Sequence, residues 1–331
     1  MRRTVGYMLI AIAAAVLAPD AAAQGKAPRP AGSYPSKPVR LVAPFPPGGS
    51  SDLIARIFAQ PLTEAFGQPF IIDSRPGAAG NVGTALVAKA PSDGYTLVIA
   101  TIGAFAINPS LYKNPGFDPV RDFVPVSTVA AGATMLVTHP SLPVKNVQEL
   151  TQLARQKPGA LSCGSGGTGT PSHLGCEMYK LLAGVNILHV PYKGTGQSIT
   201  DLLGGQIHLV FASFPVVMPH VKNGKLRAHA VTSGQRTPQA PELPTLAEAG
   251  VSGYVLDNWW GIAAPARTPV GVVEALGAEI RRIAVTPEVK ERLTVLGLDP
   301  LVMSREQFSD LIRQEIARYA KLVRAAGIPS E

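Results

Sequence analysis

The chain has 331 residues, of which 46% are hydrophobic and 16% are charged, with a net charge of +8. This length fits about two domains of roughly 150 residues, and the apolar content excludes an intrinsically disordered chain. Two cysteines exclude a disulfide-rich scaffold and a multi-cysteine zinc module. Lysine and arginine are scattered, and no basic groove with stacking aromatic residues is visible. Nucleic acid is therefore not an expected partner.

The first 33 residues are expected to precede the fold. Two arginines come before a short apolar run, and an A-x-A site follows at Ala21–Ala23, which is typical of a cleaved secretory signal. We expect residues 1–23 to be a signal peptide cleaved near Ala23, with an uncleaved anchor as the alternative. Residues 24–33 are expected to be a tether, and the mature protein is expected in the periplasm.

From Tyr34 onward, short apolar runs alternate with helical patterns, which predicts an α/β fold with parallel sheets. The predicted strands are 39–43, 70–72, 95–100, 134–138, 161–163, 187–191, 208–212, 226–232 and 258–264. The predicted helices are 53–65, 81–90, 147–156, 171–183, 198–203, 217–221, 270–284, 287–296 and 305–325. We expect one lobe from 34–135 and 235–331, and a second lobe, 136–234, inserted into it.

Three of the predicted turns between a strand and a helix are rich in small residues: 47–49, 77–79 and 164–170. Such a turn presents free N–H groups and the positive end of a helix dipole to an anion. Ligands of open α/β sheets lie beyond the carboxyl ends of the strands. The three turns together favour a binding cleft for a small anion between the lobes, although each turn alone is also compatible with a tight connection.

The sequence lacks the motifs of common catalytic and metal sites. It contains no H-E-x-x-H, G-x-S-x-G, Walker or C-x-x-C pattern, and its six histidines are dispersed. Residues 164–169 match G-x-G-x-x-G, but the next predicted strand lacks the acidic residue that would hold a ribose. We therefore expect no cofactor, no metal and no catalytic residue.

The two cysteines, Cys163 and Cys176, are 13 residues apart. An exported compartment permits a disulfide, and closing so short a loop would stabilise the fold by roughly 3 kcal/mol. Two buried thiols are the alternative, because Cys176 lies more than one turn into its predicted helix.

A collinear series of segments spans the chain from Tyr34 to Ile328. Its members include 34–49 (YPSKPVRLVAPFPPGG), 75–81 (RPGAAGN), 93–97 (DGYTL), 173–174 (HL), 189–194 (HVPYKG), 201–205 (DLLGG) and 264–265 (AP). This series resembles the Bug-type receptors, the extracytoplasmic solute-binding proteins of the tripartite tricarboxylate transporter family. The resemblance implies a two-lobed periplasmic-binding-protein fold, type II-like, with a ligand cleft between the lobes.

The resemblance also implies where a carboxylate ligand is held. The implied contacts are Phe45, Pro47, Gly48, Ala78 and Thr101 from the first lobe, and Ser165, Thr168, Thr170 and His173 from the second. His173 either touches the ligand or orients the turn before it. Asp52 is expected to cap the first turn of its helix.

Ala212 departs from the family pattern, since relatives often carry Asp or Asn there, at the far end of the cleft. Alanine cannot accept a hydrogen bond from a ligand ammonium, which would be costly to bury unpaired. We therefore expect a dicarboxylate or an aromatic acid more than an amino acid. Ser213 is expected to point to the other face of its strand.

The resemblance thus implies a non-enzymatic receptor for a small carboxylate, with membrane transporter subunits as partners, and we expect it to be a monomer. Two alternatives remain open. One is a sensor subunit that presents its ligand to a membrane signalling protein, and the other is an exported α/β hydrolase.

Overall fold

The computed structural model describes residues 34–328 and Ser330, so the predicted signal peptide and tether lie outside the described residues. The strands are β1 Val39–Ala43, β2 Phe70–Ser74, β3 Thr96–Thr101, β4 Phe123–Thr138, β5 Ser162–Ser165, β6 Leu188–Pro191, β7 Leu209–Ser213, β8 Arg227–Val231, β9 Asp257–Pro265 and β10 Asp299–Pro300. The α-helices are α1 Ser50–Phe66, α2 Asn81–Ala88, α3 Asn108–Leu111, α4 Val147–Gln156, α5 Pro171–Ala183, α6 Thr195–Leu203, α7 Phe214–Lys222, α8 Val270–Ala284, α9 Pro287–Val295 and α10 Arg305–Ala325. In this part of the chain, no helix combines the length and the apolar character needed to cross a bilayer.

One continuous sheet runs in the order β2-β1-β3-β9-β4-β7-β5-β6, and β8 and β10 also pair with β4. Strand β4 is 16 residues long and changes partner along its length. It pairs with β9 as far as Ala133 and with β7 from Thr134 onward. We call β1, β2, β3, β9, β10 and residues 123–133 the first half-sheet, and β5 to β8 with residues 134–138 the second half-sheet. The lobe boundaries given above remain a prediction.

The expectation of parallel α/β units is confirmed for the outer strands and is wrong at the centre. Strand β1 runs parallel to β2 and β3, and β5 runs parallel to β6 and β7. In contrast, β9 runs antiparallel to both β3 and β4. The sequence predicted only the last five residues of β4. Its earlier part contains Pro125 and the small residues 130–133. Its pairing with β9 is irregular, so apolar residues do not alternate regularly along this part of the strand.

The inner strands of the sheet are buried on both faces. Successive residues of β1, Leu41 and Val42, belong to two different hydrophobic clusters, as expected when side chains alternate across a strand. Helices α1, α8 and α9 contribute apolar residues to the cluster that contains Leu41. Helices α2, α5 and α10 contribute apolar residues to the cluster that contains Val42. Helix α10 begins where the sequence predicted, because Ser304 and Gln307 form a capping box.

The two cysteines form a disulfide that ties β5 to α5. The Cα atoms of Cys163 and Cys176 are 6.3 Å apart, and both residues are buried. Of the two alternatives, the structure shows the disulfide and not two buried thiols.

Candidate ligand-binding site

A cavity of about 450 Å³ lies between the two half-sheets. Its walls come from segments that are distant in sequence: 45–51, 170–172, 194–197 and 211–213, with Thr101, Thr134, Asn258 and Trp260 among the other lining residues. Of the described residues that line it, none carries a charged side chain. An anion in this cavity must therefore be held by neutral N–H and O–H donors.

The N-termini of four helices meet at this cavity. Ser50 begins α1, and the N-cap residues of α5, α6 and α7 are Thr170, Gly194 and Ser213. All four residues line the cavity. The first amides of a helix have no acceptor within it, and its dipole places partial positive charge there. The cavity is therefore electropositive without a cationic side chain.

Asp52 fixes the turn that leads into α1. Its buried carboxylate accepts hydrogen bonds from the Gly48 amide and from Nε of Arg56, both at 3.0 Å. The N-cap is Gly49, so Asp52 stabilises the turn before the helix instead of capping the helix itself. Because Asp52 occupies the Gly48 amide, the free donors here are the amides of 50–52. The first bond within α1 runs from the Leu53 amide to the Gly49 carbonyl.

The turn between β5 and α5 is fixed by its own side chains. Oγ1 of Thr170 donates to the Gly167 carbonyl at 2.7 Å and accepts from the His173 amide at 3.3 Å. Oγ of Ser172 accepts from the Gly166 amide at 2.9 Å. The N-terminus of α5 is thus held in one position beside the cavity.

Behind this turn lies a second cavity, which includes Thr168 and His173 in its lining. The Thr168 carbonyl accepts a hydrogen bond from the Tyr112 hydroxyl at 2.7 Å. Oγ of Ser165 accepts from the Gly167 amide at 3.1 Å and lies 2.7 Å from Nε2 of His189. These three predicted site residues support the turn from behind and do not line the main cavity.

His173 is neutral in the folded protein. Burial, with a smaller effect from the charge of Lys180, lowers its pKa to about 4. Its Nδ1 accepts a hydrogen bond from the Gly169 amide at 3.2 Å, which places the proton on Nε2, 4.0 Å from a carboxylate oxygen of Glu177. Of its two alternative roles, the geometry favours orienting the turn.

The same cluster has the composition of a metal site. Ligand atoms of His173, Glu177 and His189 lie within 4.8 Å of one another. Metal binding at Nε2 of His173 would require that nitrogen to be unprotonated, whereas the bond from the Gly169 amide to Nδ1 keeps the proton on Nε2. The arrangement therefore favours a hydrogen-bond network over a metal centre.

Six of the ten residues predicted for the site line the main cavity: Phe45, Pro47, Gly48, Thr101, Thr170 and Ala212. Ala78 does not, because its short helical turn, Ala78–Gly80, packs behind Phe45. A Cβ at Gly80 would lie 3.1 Å from the Phe45 ring. This turn shapes the cavity wall from outside.

Comparison with known proteins identifies the family. The model of the tripartite tricarboxylate transporter family receptor matches residues 54–328. This chain belongs to that family. It is 35% identical to BugT of Bordetella pertussis over 302 residues, which are 91% of this chain and 93% of BugT.

Solved structures of similar receptors share the fold. The structure of R. palustris Rpa4515 with adipate has a TM-score of 0.88 and 38% identity, covering 90% of this chain and 100% of that one. The periplasmic binding protein BugD has a TM-score of 0.86 and 34% identity, over 90% and 100% of the two chains. The predicted family and the two-lobed periplasmic-binding-protein fold are confirmed.

Several cavity residues of this receptor were missed by sequence reasoning. Residues 194–197 follow β6 as a glycine-rich start of a helix, so the strand–glycine–helix signal was present there too. Thr134 and Asn258 lie inside strands, where no turn signal marks them. The expectation that Ser213 points away is wrong: it lines the cavity, and its Oγ lies 2.6 Å from Oγ of Ser50.

Proposed function

We propose that this protein is a periplasmic receptor that captures a small carboxylate and delivers it to the membrane subunits of its transporter. The observation that carries the proposal is the uncharged cavity on which four helix N-termini converge. Hydrogen bonds from neutral N–H groups to a carboxylate are charge-assisted and need no cationic partner. The solved structure of Rpa4515 with adipate supports this ligand class.

The periplasmic location rests on the predicted signal peptide and on the description of the similar protein BugD as a periplasmic binding protein. We further propose that the receptor acts as a monomer and that the ten predicted site residues take part in binding or in shaping the site. For Ala78, Ser165, Thr168 and His173 we propose the supporting role, since they lie outside the cavity lining.

The ligand is proposed to be a dicarboxylate or an aromatic acid without a free amino group. Ala212 lines the cavity, and none of the described lining residues is acidic. A ligand ammonium would find only neutral oxygens there, and it would lose its hydration on entry. The aromatic rings of Phe45, Phe211 and Trp260 give the cavity an apolar wall.

A hydrolase function is not favoured by the cavity. Serines 50, 51, 172 and 213 line it, but the described lining residues include no histidine, aspartate or glutamate that would activate a hydroxyl. A sensor subunit would use the same cavity as a transport receptor. Binding of the purified protein to its transporter's membrane subunits, as opposed to a membrane kinase, would distinguish the two.

A thermal-shift screen of the mature chain tests the proposed function. Dicarboxylates and aromatic acids are compared with their neutral amides at the same concentration. A ligand at 100 times its dissociation constant stabilises the folded state by about 2.7 kcal/mol, so we expect a clear rise in melting temperature with at least one acid and none with its amide. Equal stabilisation by the amides, or none by any acid, would refute the proposal.

A further inference from the structure

Thr134 and Asn258 lie at the floor of the cavity, where β4 changes partner. Thr134 pairs with Ser213 of β7, while Asn258 of β9 pairs with Gly132, two residues earlier on β4. Residues two apart on a strand share a face, and directly paired residues of neighbouring strands also share a face. The two side chains are therefore diagonal neighbours on the same face of the sheet, and both line the cavity.

The hydroxyl of Thr134 is buried without a partner. The residue is 1% exposed, and its Oγ1 has no hydrogen bond within the described chain. Its backbone amide, in contrast, donates to Oγ1 of Thr232 at 3.1 Å. Buried hydroxyls nearly always find a partner, because leaving one unpaired costs free energy. An unpaired hydroxyl that faces a cavity points to a polar group of the ligand.

Asn258 extends this polar floor. It is 6% exposed and lines the cavity, where its carboxamide can donate hydrogen bonds. The N-cap of α7 is Ser213, the residue directly paired with Thr134, so the positive end of that helix lies beside the same floor. Two neutral donors next to a helix N-terminus form a site for a negative charge rather than for a neutral hydroxyl.

We propose that Thr134 and Asn258 form a second carboxylate subsite, so that the ligand is a dicarboxylate. This inference rests on the proposed function and deepens it: one carboxylate lies at the N-termini of α1, α5 and α6, and the other lies at the floor. The methylene chain between them passes along Trp260, which shares the face of Asn258 on β9. An aromatic acid with a single carboxylate would leave the floor unpaired.

Calorimetry with acids matched in length tests the subsite on the mature chain. Adipate is compared with hexanoate, and succinate with butyrate, with 6-hydroxyhexanoate as a neutral-headed third probe. Because hydrogen bonds to charged groups are stronger than neutral ones, at least one diacid should bind about tenfold more tightly than its monoacid, a difference of about 1.4 kcal/mol. Monoacids or the hydroxy acid binding as tightly as the diacids would overturn the subsite, whereas no binding by any acid in the panel would refute the proposed function.

The variant Thr134→Val tests whether the preference for diacids arises at the floor of the cavity. The substitution keeps the shape and removes the hydroxyl, so diacid affinity should fall by about tenfold while monoacid affinity stays within about twofold. The matched control is Thr128→Val on the same strand, since Thr128 is also buried with an unpartnered hydroxyl but does not line the cavity. That control should leave the diacid preference unchanged. Equal losses for diacid and monoacid in Thr134→Val would contradict the assignment.

Two further measurements exclude a merely structural role. The melting temperature of unliganded Thr134→Val should not fall, because the substitution removes a hydroxyl that has no partner in the chain. Asn258→Asp should weaken diacids more than monoacids, because it places a negative charge beside the second carboxylate. A destabilised Thr134→Val protein together with an unchanged diacid preference in Asn258→Asp would overturn the proposal.

Discussion

Gly48 adopts a left-handed backbone conformation, with φ of +80°, in the turn that precedes α1. No atom lies within 4 Å of a Cβ built there, and Gly48 lines the cavity. Gly48→Leu should fill the space needed by the ligand and lower carboxylate affinity by about tenfold or more. Isothermal calorimetry with the best acid from the screen measures this loss.

The matched control for this variant is Gly250→Leu. Gly250 also has a positive φ, of +96°, and open space at its Cβ position, but it does not line the cavity. Both variants should carry a similar backbone strain of about 1–3 kcal/mol, so only the cavity position separates them. Equal affinities of the two variants would remove Gly48 from the site.

Ala212 gives a second prediction at the level of a single residue. The wild-type protein should bind succinate more tightly than aspartate, because the cavity offers no carboxylate to a ligand ammonium. Ala212→Asp should reverse that order by supplying an acceptor for the ammonium and repelling a second ligand carboxylate. Competition calorimetry with the two ligands checks both proteins. Tighter aspartate binding by the wild-type protein would show that the Ala212 argument is wrong.

Residue types predicted part of the cavity lining that lies in turns, although the turn at 194–197 was missed. Phe45, Gly48 and Thr170 follow strands at proline- or glycine-rich junctions, so their sequence context marks them. Thr134 and Asn258 carry no such mark, because they become neighbours only through the pairing of β4 with β9. Long-range strand register of this kind is not encoded in local spacing. The floor of the site therefore required the structure.

At the level of elements, the turn between β5 and α5 depends on a neutral histidine. Burial lowers the pKa of His173 to about 4, below its ordinary value of 6.5. The charged groups that face it are Glu177 and Lys180, and His189 packs against its ring at 4.3 Å. Protonation would abolish the acceptor that holds the Gly169 amide. The unfolded chain binds this proton more readily than the folded chain does.

Stability from His173 is therefore complete above about pH 6.5 and is lost as the pH falls toward 4. His173→Asn keeps an acceptor oxygen near the position of Nδ1 and removes the titration. The free energy of unfolding of the wild-type protein should fall by up to about 3 kcal/mol more than that of the variant between pH 7 and pH 4. Urea denaturation across this range measures the difference.

His229 serves as the internal reference in this comparison. Burial also lowers its pKa to about 4, with a smaller effect from Arg227, and it stays unchanged in both proteins. The pH dependence that remains in His173→Asn therefore includes the contribution of His229. Identical pH profiles for the wild-type protein and the variant would show that His173 is not the group that titrates.

At the scale of the whole molecule, β4 joins the two half-sheets, and contacts between segments attached to the two half-sheets also hold them together. Oγ of Ser50 meets Oγ of Ser213 at 2.6 Å on one side. The Tyr112 hydroxyl donates to the Thr168 carbonyl at 2.7 Å on the other. A Cβ at Gly194 would lie only 3.0 Å from Pro46, so the backbone of the α6 turn also approaches the first half-sheet closely. We expect that a bound ligand leaves the cavity only when some of these contacts break.

Tyr112→Phe isolates one of these contacts, because Tyr112 is not among the residues that line the main cavity. Loss of a net 0.5–1.5 kcal/mol from one hydrogen bond should raise the dissociation rate of a bound dicarboxylate by roughly two- to tenfold. Stopped-flow displacement measures this rate. The control is Tyr95→Phe, because Tyr95 does not line the cavity and its hydroxyl accepts from the Ser36 amide at 2.9 Å. Both variants lose a tyrosine hydroxyl, but only Tyr112→Phe removes a bond between the half-sheets. Equal dissociation rates for the two variants would show that the Tyr112 contact does not retain the ligand.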